Sequence, residues 1–226
     1  MSVSLTSRGP YKKGVQRRQE IVDAAARVFA RHGYHAGSLR HIAEEVGVTG
    51  AALIRYFGSK EGLLVAVLRR WQEESSHWQG PHTGLEHIRA LIPLMRYHVT
   101  HRGFIELFLT LSTEASNPDH PARGFIVKRY EEALHGFNRQ LSIARDAGDI
   151  LPLTDDAIDL ESRSLIALMD GMELQWLLNP DLDLVTKFQA QVNITISRWT
   201  GRSIEEVTLE TETWLERVNS GRDAAM

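Results

Sequence analysis

An all-α chain is what the sequence predicts, with a short N-terminal helical unit followed by a larger helical body. Three observations carry this. Apolar residues recur at three- and four-residue spacing along most of the chain, and no run of sustained apolar–polar alternation bounded by turn residues interrupts them. Charge divides unevenly: residues 1–60 hold ten Lys/Arg against four Asp/Glu, a net of +6, whereas residues 61–226 hold 16 against 25, a net of −9. Third, 226 residues suffice for a substantial core or for a small unit fused to a larger one. The overall net charge of −3 excludes a uniformly basic surface, so contact with phosphates falls to the first part. The absence of cysteine excludes disulfides, thiol nucleophiles and cysteine metal sites, and fits a reducing compartment. No apolar signal segment accompanies Arg8 and Lys12, and the longest apolar run, Leu63–Leu68, is too short for a bilayer. A cytoplasmic protein with no membrane partner is expected.

Residues 1–14 are polar, small and mildly basic, with Gly9 and Pro10, and read as a flexible basic arm in which Tyr11, Lys12 and Lys13 either follow a DNA backbone or stay solvated. From Val15, the positions Ile21, Val22, Ala25, Val28 and Phe29 form one helical face that stops near Gly33. The stretch Ser38–Lys60, SLRHIAEEVGVTGAALIRYFGSK, organises the first unit. Leu39, Ile42, Ala43 and Val46 share a face of one short helix, and Leu53 and Phe57 a face of the next. Gly47 suits a positive φ at the corner, Val48 plugs its inside, and Thr49 caps the second helix. This is the pattern of a helix-turn-helix. Thr49 and Gly50 begin the second helix, close enough to approach bases, while Ser38, Arg55, Tyr56 and Lys60 are better placed for phosphates. Ser59 caps a further helix with Glu61 in its first turn, and that helix joins the basic head to the acidic body.

The span Arg18–Leu64, 47 of 226 residues, resembles the N-terminal DNA-binding domain of the TetR (tetracycline-repressor-like) family of bacterial transcription regulators. One departure is Ile54, where the family usually has a tyrosine in the recognition helix; Arg55 or Tyr56 must then carry more of the phosphate anchoring. The resemblance implies a helix-turn-helix DNA-binding domain over residues 15–60 and a helical ligand-binding and dimerisation domain over residues 61–226. It implies double-stranded operator DNA, a small-molecule effector of unknown identity and a second copy of the chain as partners.

In the body, amphipathic helices are expected from Ser59 to about Ser75, over Leu85–Val99 and Phe104–Leu111, from Ala122 to about Ala147, over Asp155–Leu178 and Leu184–Trp199, and after a capping box of Ser203 with Glu206. The segments 155–178 and 184–199 have apolar surfaces too broad for one packing partner. Two such neighbours suggest a two-fold four-helix interface, to which Leu165, Val185, Phe188, Val192 and Ile196 are assigned. Leu63, Trp71, Met95, Phe108, Tyr130, Met169 and Trp176 read most simply as core; family resemblance adds the alternative that they line an apolar effector cavity.

Enzyme chemistry finds little support. The chain lacks a phosphate loop, a GxGxxG turn, HExxH and GxSxG, and Gly58-Ser59-Lys60-Glu61-Gly62 has the wrong spacing for any of them. His98 and His101, with Glu106 or His120, match a metal spacing that ten histidines produce by chance, and Asp181-Leu182-Asp183 lacks the rest of a calcium loop. No metal or cofactor is expected. Asp170 and Glu173 interrupt an apolar helix: either they face water or a ligand, or they anchor a buried network, exposure on the polar side being the commoner case. The expected function is a dimeric, ligand-responsive regulator, most often a repressor in this family, that binds a palindromic operator; the alternative is a helical ligand-binding or interaction module without operator recognition.

Overall fold

A computed structural model describes residues 9–223, excepting the side chains of residues 9–13, 30, 35, 76–79 and 221–223. Among the described residues there are eleven α-helices and no strand: α1 Gly9–Ala36, α2 Leu39–Val46, α3 Gly50–Phe57, α4 Lys60–Gln79, α5 Gly84–Arg89, α6 Leu91–Thr100, α7 Arg102–Glu114, α8 Arg123–Asp146, α9 Asp155–Leu178, α10 Leu184–Thr200 and α11 Ile204–Asp223. The all-α expectation holds. Residues 9–14 of the expected arm are helical, the first turns of α1, and residues 1–8 lie outside the described residues. α1 is interrupted at Gly33, whose φ of 71° and ψ of 168° leave the helical region at the expected stop.

The helix expected across residues 85–99 is two helices, divided at Ala90. Pro93 explains the division, because its ring would meet the carbonyl of Arg89 one turn earlier and it has no N–H to donate. At the C-terminal end the capping box forms in full: the Ser203 N–H donates to Glu206 Oε2 at 3.1 Å and the Glu206 N–H donates to Ser203 Oγ at 3.3 Å.

Packing divides the chain into two units. The first contains the described residues up to Glu74 together with Arg102–Ile126. Its core gathers Ile21, Val22, Ala25 and Phe29 of α1, Ile42 and Ala43 of α2, Leu53 of α3, Leu63, Leu64, Val67, Leu68 and Trp71 of α4, and Ile105 and Leu111 of α7, all buried. α1 and the two eight-residue helices α2 and α3 have little apolar surface to share; α4 and α7 supply the remainder. Trp71 lies flat on Phe104 with ring centroids 4.8 Å apart, and Arg70 holds α4 to α1 through Asp23 at 2.5 Å.

The second unit contains Ser75–His101 and the residues from Val127 onward. Here α10 is central: Leu184, Phe188, Val192, Ile196 and Trp199 are all buried, against α5, α6, α9 and α11. Gln140 Oε1 of α8 accepts from the Gly84 N–H at 2.9 Å, and Arg89 reaches Glu210 at 2.9 Å, fixing α5 to α8 and α11. No helix among the described residues is long and apolar enough to cross a membrane.

Candidate nucleic-acid interface

The corner between α2 and α3 is built as its sequence implies. Ser38 Oγ accepts from the His41 N–H at 3.2 Å and Thr49 Oγ1 from the Ala52 N–H at 3.1 Å, so each short helix has a side-chain N-cap worth about 0.5–2 kcal/mol. Gly47 takes φ 64° and ψ 43°, and the N–H groups of Gly47 and Val48 donate to Glu44 and Ala43 to close α2. Arg17 of α1 adds a clamp that the sequence did not announce, donating to the Val46 carbonyl at 2.5 Å, where the free carbonyls of α2 concentrate negative charge.

Among the residues of α3, only Leu53 is buried, and the helix is anchored through it while the rest of its surface faces outward or half outward. Ile54 is 44% exposed, Thr49, Gly50 and Arg55 are exposed, and Tyr56 is half-buried with the Arg55 guanidinium 5.7 Å from its ring centroid. A Cβ added at Gly50 would meet nothing within 4 Å, so the chain's own fold does not demand glycine there. The capping oxygens of Ser38 and Thr49 accept helix N–H groups, and each hydroxyl keeps a proton to donate outward.

Lys60 opens α4, with its Nζ 4.5 Å from the centroid of the Tyr34 ring. The Tyr34 hydroxyl donates to Glu61 Oε1 at 3.0 Å, and Ser59 Oγ caps α4 by accepting from the Gly62 N–H at 3.1 Å. The Glu61 backbone N–H, the Ser59 hydroxyl and the Tyr34 hydroxyl, in that order, hold the Glu61 carboxyl below its ordinary pKa. Burial first, then this bond and the charge of Glu61, push the Tyr34 phenol up. Arg17, Arg27 and Arg40 meet Glu20, Glu45 and Glu44 at 2.6–2.8 Å, so part of the positive charge of residues 1–60 is met inside the unit.

Of the seven residues assigned to an effector cavity, Leu63, Trp71 and Phe108 belong to the first packing unit and Met95, Tyr130, Met169 and Trp176 to the second. Leu63 and Met95 are fully enclosed. The second unit adds a polar cluster among these apolar neighbours: Tyr130 donates to Asp170 Oδ2 at 2.6 Å, and His98 Nδ1 lies 2.5 Å from Glu173 Oε1. Burial, foremost, raises the Asp170 pKa, and burial lowers that of Arg129, which feels the charges of Asp170 and Glu173. Of the two readings of Asp170 and Glu173, the structure has the buried network rather than the commoner polar-side exposure: Glu173 is 3% exposed and Asp170 half-buried, with partners from α6 and α8.

The residues assigned to the dimer interface lie largely within the chain's own core. Leu165, Phe188, Val192 and Ile196 are buried in the chain's own second unit and Val185 is half-buried, leaving the four little or no surface for a partner. The outward apolar surface of the same helices consists of Leu160, 65% exposed, Leu174, Leu178 and Ile194.

The chain is similar to known proteins. Residues 21–67 match the family described as "Bacterial regulatory proteins, tetR family". The HTH-type transcriptional regulator UidR of Escherichia coli (strain K12) is 25% identical over 157 residues, covering 69% of this chain and 79% of UidR. The HTH-type transcriptional repressor AcnR of Corynebacterium diphtheriae is 43% identical over 53 residues, covering 24% of this chain and 28% of AcnR. Among solved structures, the transcriptional regulator FadR from Bacillus subtilis, in complex with stearoyl-CoA, superposes with a TM-score of 0.65 at 20% identity, over 80% of this chain and 98% of FadR. That last likeness is one of fold.

Proposed function

Because this chain belongs to the TetR family of bacterial regulatory proteins, we propose that it is a ligand-responsive transcription regulator of the cytoplasm that binds a palindromic operator as a homodimer and acts as a repressor. The observation that carries the DNA-binding part is α3, of whose residues Leu53 alone is buried while Ile54 and Arg55 stay exposed. A helix that spends so little of its apolar surface on its own core is suited to a groove. Residues 15–60 are the reading unit in this proposal and residues 61–226 serve effector binding and dimerisation.

In the major groove, Thr49 and Gly50 approach bases, and Ile54 offers an apolar contact to a thymine methyl in place of the tyrosine hydroxyl usual in the family. Ser38, Arg55, Tyr56 and Lys60 contact phosphates. The name of AcnR as a repressor supports the direction of control, and the 43% identity over 53 residues supports a shared mode of reading.

The effector we infer is a predominantly apolar small molecule carrying a polar group. Met95, Met169 and Trp176 supply bulk and adaptable thioethers in the second unit, and the cluster of His98, Arg129, Tyr130, Asp170 and Glu173 supplies polar partners. The stearoyl-CoA held by the similarly folded FadR supports this class. An effector that prefers a conformation with wrongly spaced recognition helices shifts the dimer from DNA, and a coupling of about 1–3 kcal/mol changes affinity about 5- to 150-fold.

Selection of a duplex from random-sequence DNA by the purified protein tests the reading. Recovery of a palindromic site whose binding weakens steeply with salt, and is weakened further by long-chain acyl-CoA or another apolar compound that raises the melting temperature, is the expected result. Recovery of no preferred sequence would leave the alternative of a ligand-binding or interaction module.

A further inference from the structure

The first unit contains an arrangement around Lys60 that the helix-turn-helix pattern does not require. Tyr34 sits at the end of α1, 7% exposed, and four groups surround it. Phe29 packs against one side with ring centroids 5.7 Å apart; the Lys60 ammonium lies 4.5 Å from its ring centroid; the hydroxyl donates to Glu61 at 3.0 Å; and the His120 ring meets it edge-on at 6.1 Å and 67°. His120 is itself fixed. Its Nδ1 accepts from the Ala122 N–H at 3.2 Å, which leaves the proton of a neutral ring on Nε2, 3.4 Å from the Glu114 carboxylate at the end of α7.

We propose that Tyr34 is a positioning residue for DNA binding, its ring holding the Lys60 ammonium at the mouth of α4 and its own place being set by Glu61 and by the His120–Glu114 pair of α7 and the α7–α8 connection. The proposal rests on the reading of Lys60 as a phosphate contact. A lysine on four flexible carbons loses much rotamer freedom when it meets a phosphate; a ring that already confines the ammonium removes part of that loss before DNA arrives. A displacement of α7 or of the connection carrying His120 reaches Lys60 through one aromatic ring, giving the phosphate contact a mechanical link to that part of the unit.

The test is a double-mutant cycle on a duplex selected by the wild-type protein. Lys60→Ala is expected to lower affinity and reduce the salt slope by about one unit. Tyr34→Leu, which removes the ring, should reproduce most of that loss and flattening, the double variant should bind no more weakly than Lys60→Ala, and Tyr34→Phe, which keeps the ring, should retain the wild-type slope. Additive losses in the double variant overturn the positioning role while leaving the phosphate role of Lys60 intact. An ineffective Lys60→Ala overturns that phosphate role and the proposal with it. Should Tyr34→Leu fail to fold, the wild-type protein decides: ring-current shifts of the Lys60 side-chain methylenes in the NMR spectrum, retained with the duplex bound, are expected, and random-coil shifts overturn the proposal.

Discussion

Gly62 and Phe57 approach so closely that a Cβ added at Gly62 would lie 2.0 Å from the Phe57 carbonyl oxygen. The contact joins the end of α3 to the first turn of α4, and the obstructing atom belongs to backbone, which cannot swing away as a side-chain tip does. Gly62→Ala must therefore move α4 relative to α3. We expect a loss of about 1–3 kcal/mol in chemical denaturation, as for overpacking elsewhere, together with weakened operator binding because Lys60 shifts with its helix. Unchanged stability in the variant would show that the turn adjusts freely.

Gly50 poses the opposite case. With nothing within 4 Å of an added Cβ and no positive φ to preserve, Gly50→Ala should leave stability unchanged or raise it by up to about 1 kcal/mol through helix propensity. Its expected cost is in DNA binding, since a methyl at the exposed start of α3 intrudes where a base or phosphate would lie. Calorimetric melting and gel-shift titration separate the two effects, and a Gly50→Ala variant that binds as well as wild type would remove Gly50 from the interface.

The proposed dimer can be tested against the chain's own core. Leu160, Ala167 and Leu174 recur every seven residues on one exposed side of α9, and Ile194 is 50% exposed on α10. Leu174→Glu together with Ile194→Glu should leave the circular dichroism intact and give a monomer by sedimentation velocity. Val192→Asp should instead destabilise the fold itself by about 3–5 kcal/mol, because Val192 is fully enclosed and an unpaired charge there has no partner. A folded dimer carrying both glutamates would place the interface on another surface.

These outcomes bear on what the sequence makes legible. Caps, corner and fold class were readable because they are local: Ser38, Gly47, Thr49 and Ser203 act within four residues of themselves. The breadth of the apolar surface on α9 and α10 was readable too, but periodicity does not say which side meets the chain's own core, and Leu165, Val192 and Ile196 turn inward while Leu160, Leu174 and Ile194 turn out. Pro93 is a local signal for the division at Ala90, which the apolar spacing over Leu85–Val99 does not show. Partnerships such as His98 with Glu173, 75 positions apart, and Tyr34 with Glu61, 27 apart, depend on tertiary placement and leave no local pattern.

Glu61 connects stability to pH through the same constellation that holds Lys60. Its carboxyl accepts from its own backbone N–H, from Ser59 and from Tyr34, and its pKa in the folded chain lies below the ordinary value of 4.5. In the unfolded chain those hydrogen bonds are lost, so over the interval between the two pKa values the unfolded state binds more protons than the folded one. The stability that Glu61 contributes is then full above about pH 4.5 and is lost as pH falls through the lower, folded-state pKa. Glu61→Gln removes the titration. The variant should be less stable than wild type at pH 7, and the difference should shrink progressively on acidification below about pH 4.5, read from urea unfolding at a series of pH values. A difference that stays constant from pH 7 to pH 3 would mean that the carboxylate charge contributes nothing to the turn between α3 and α4.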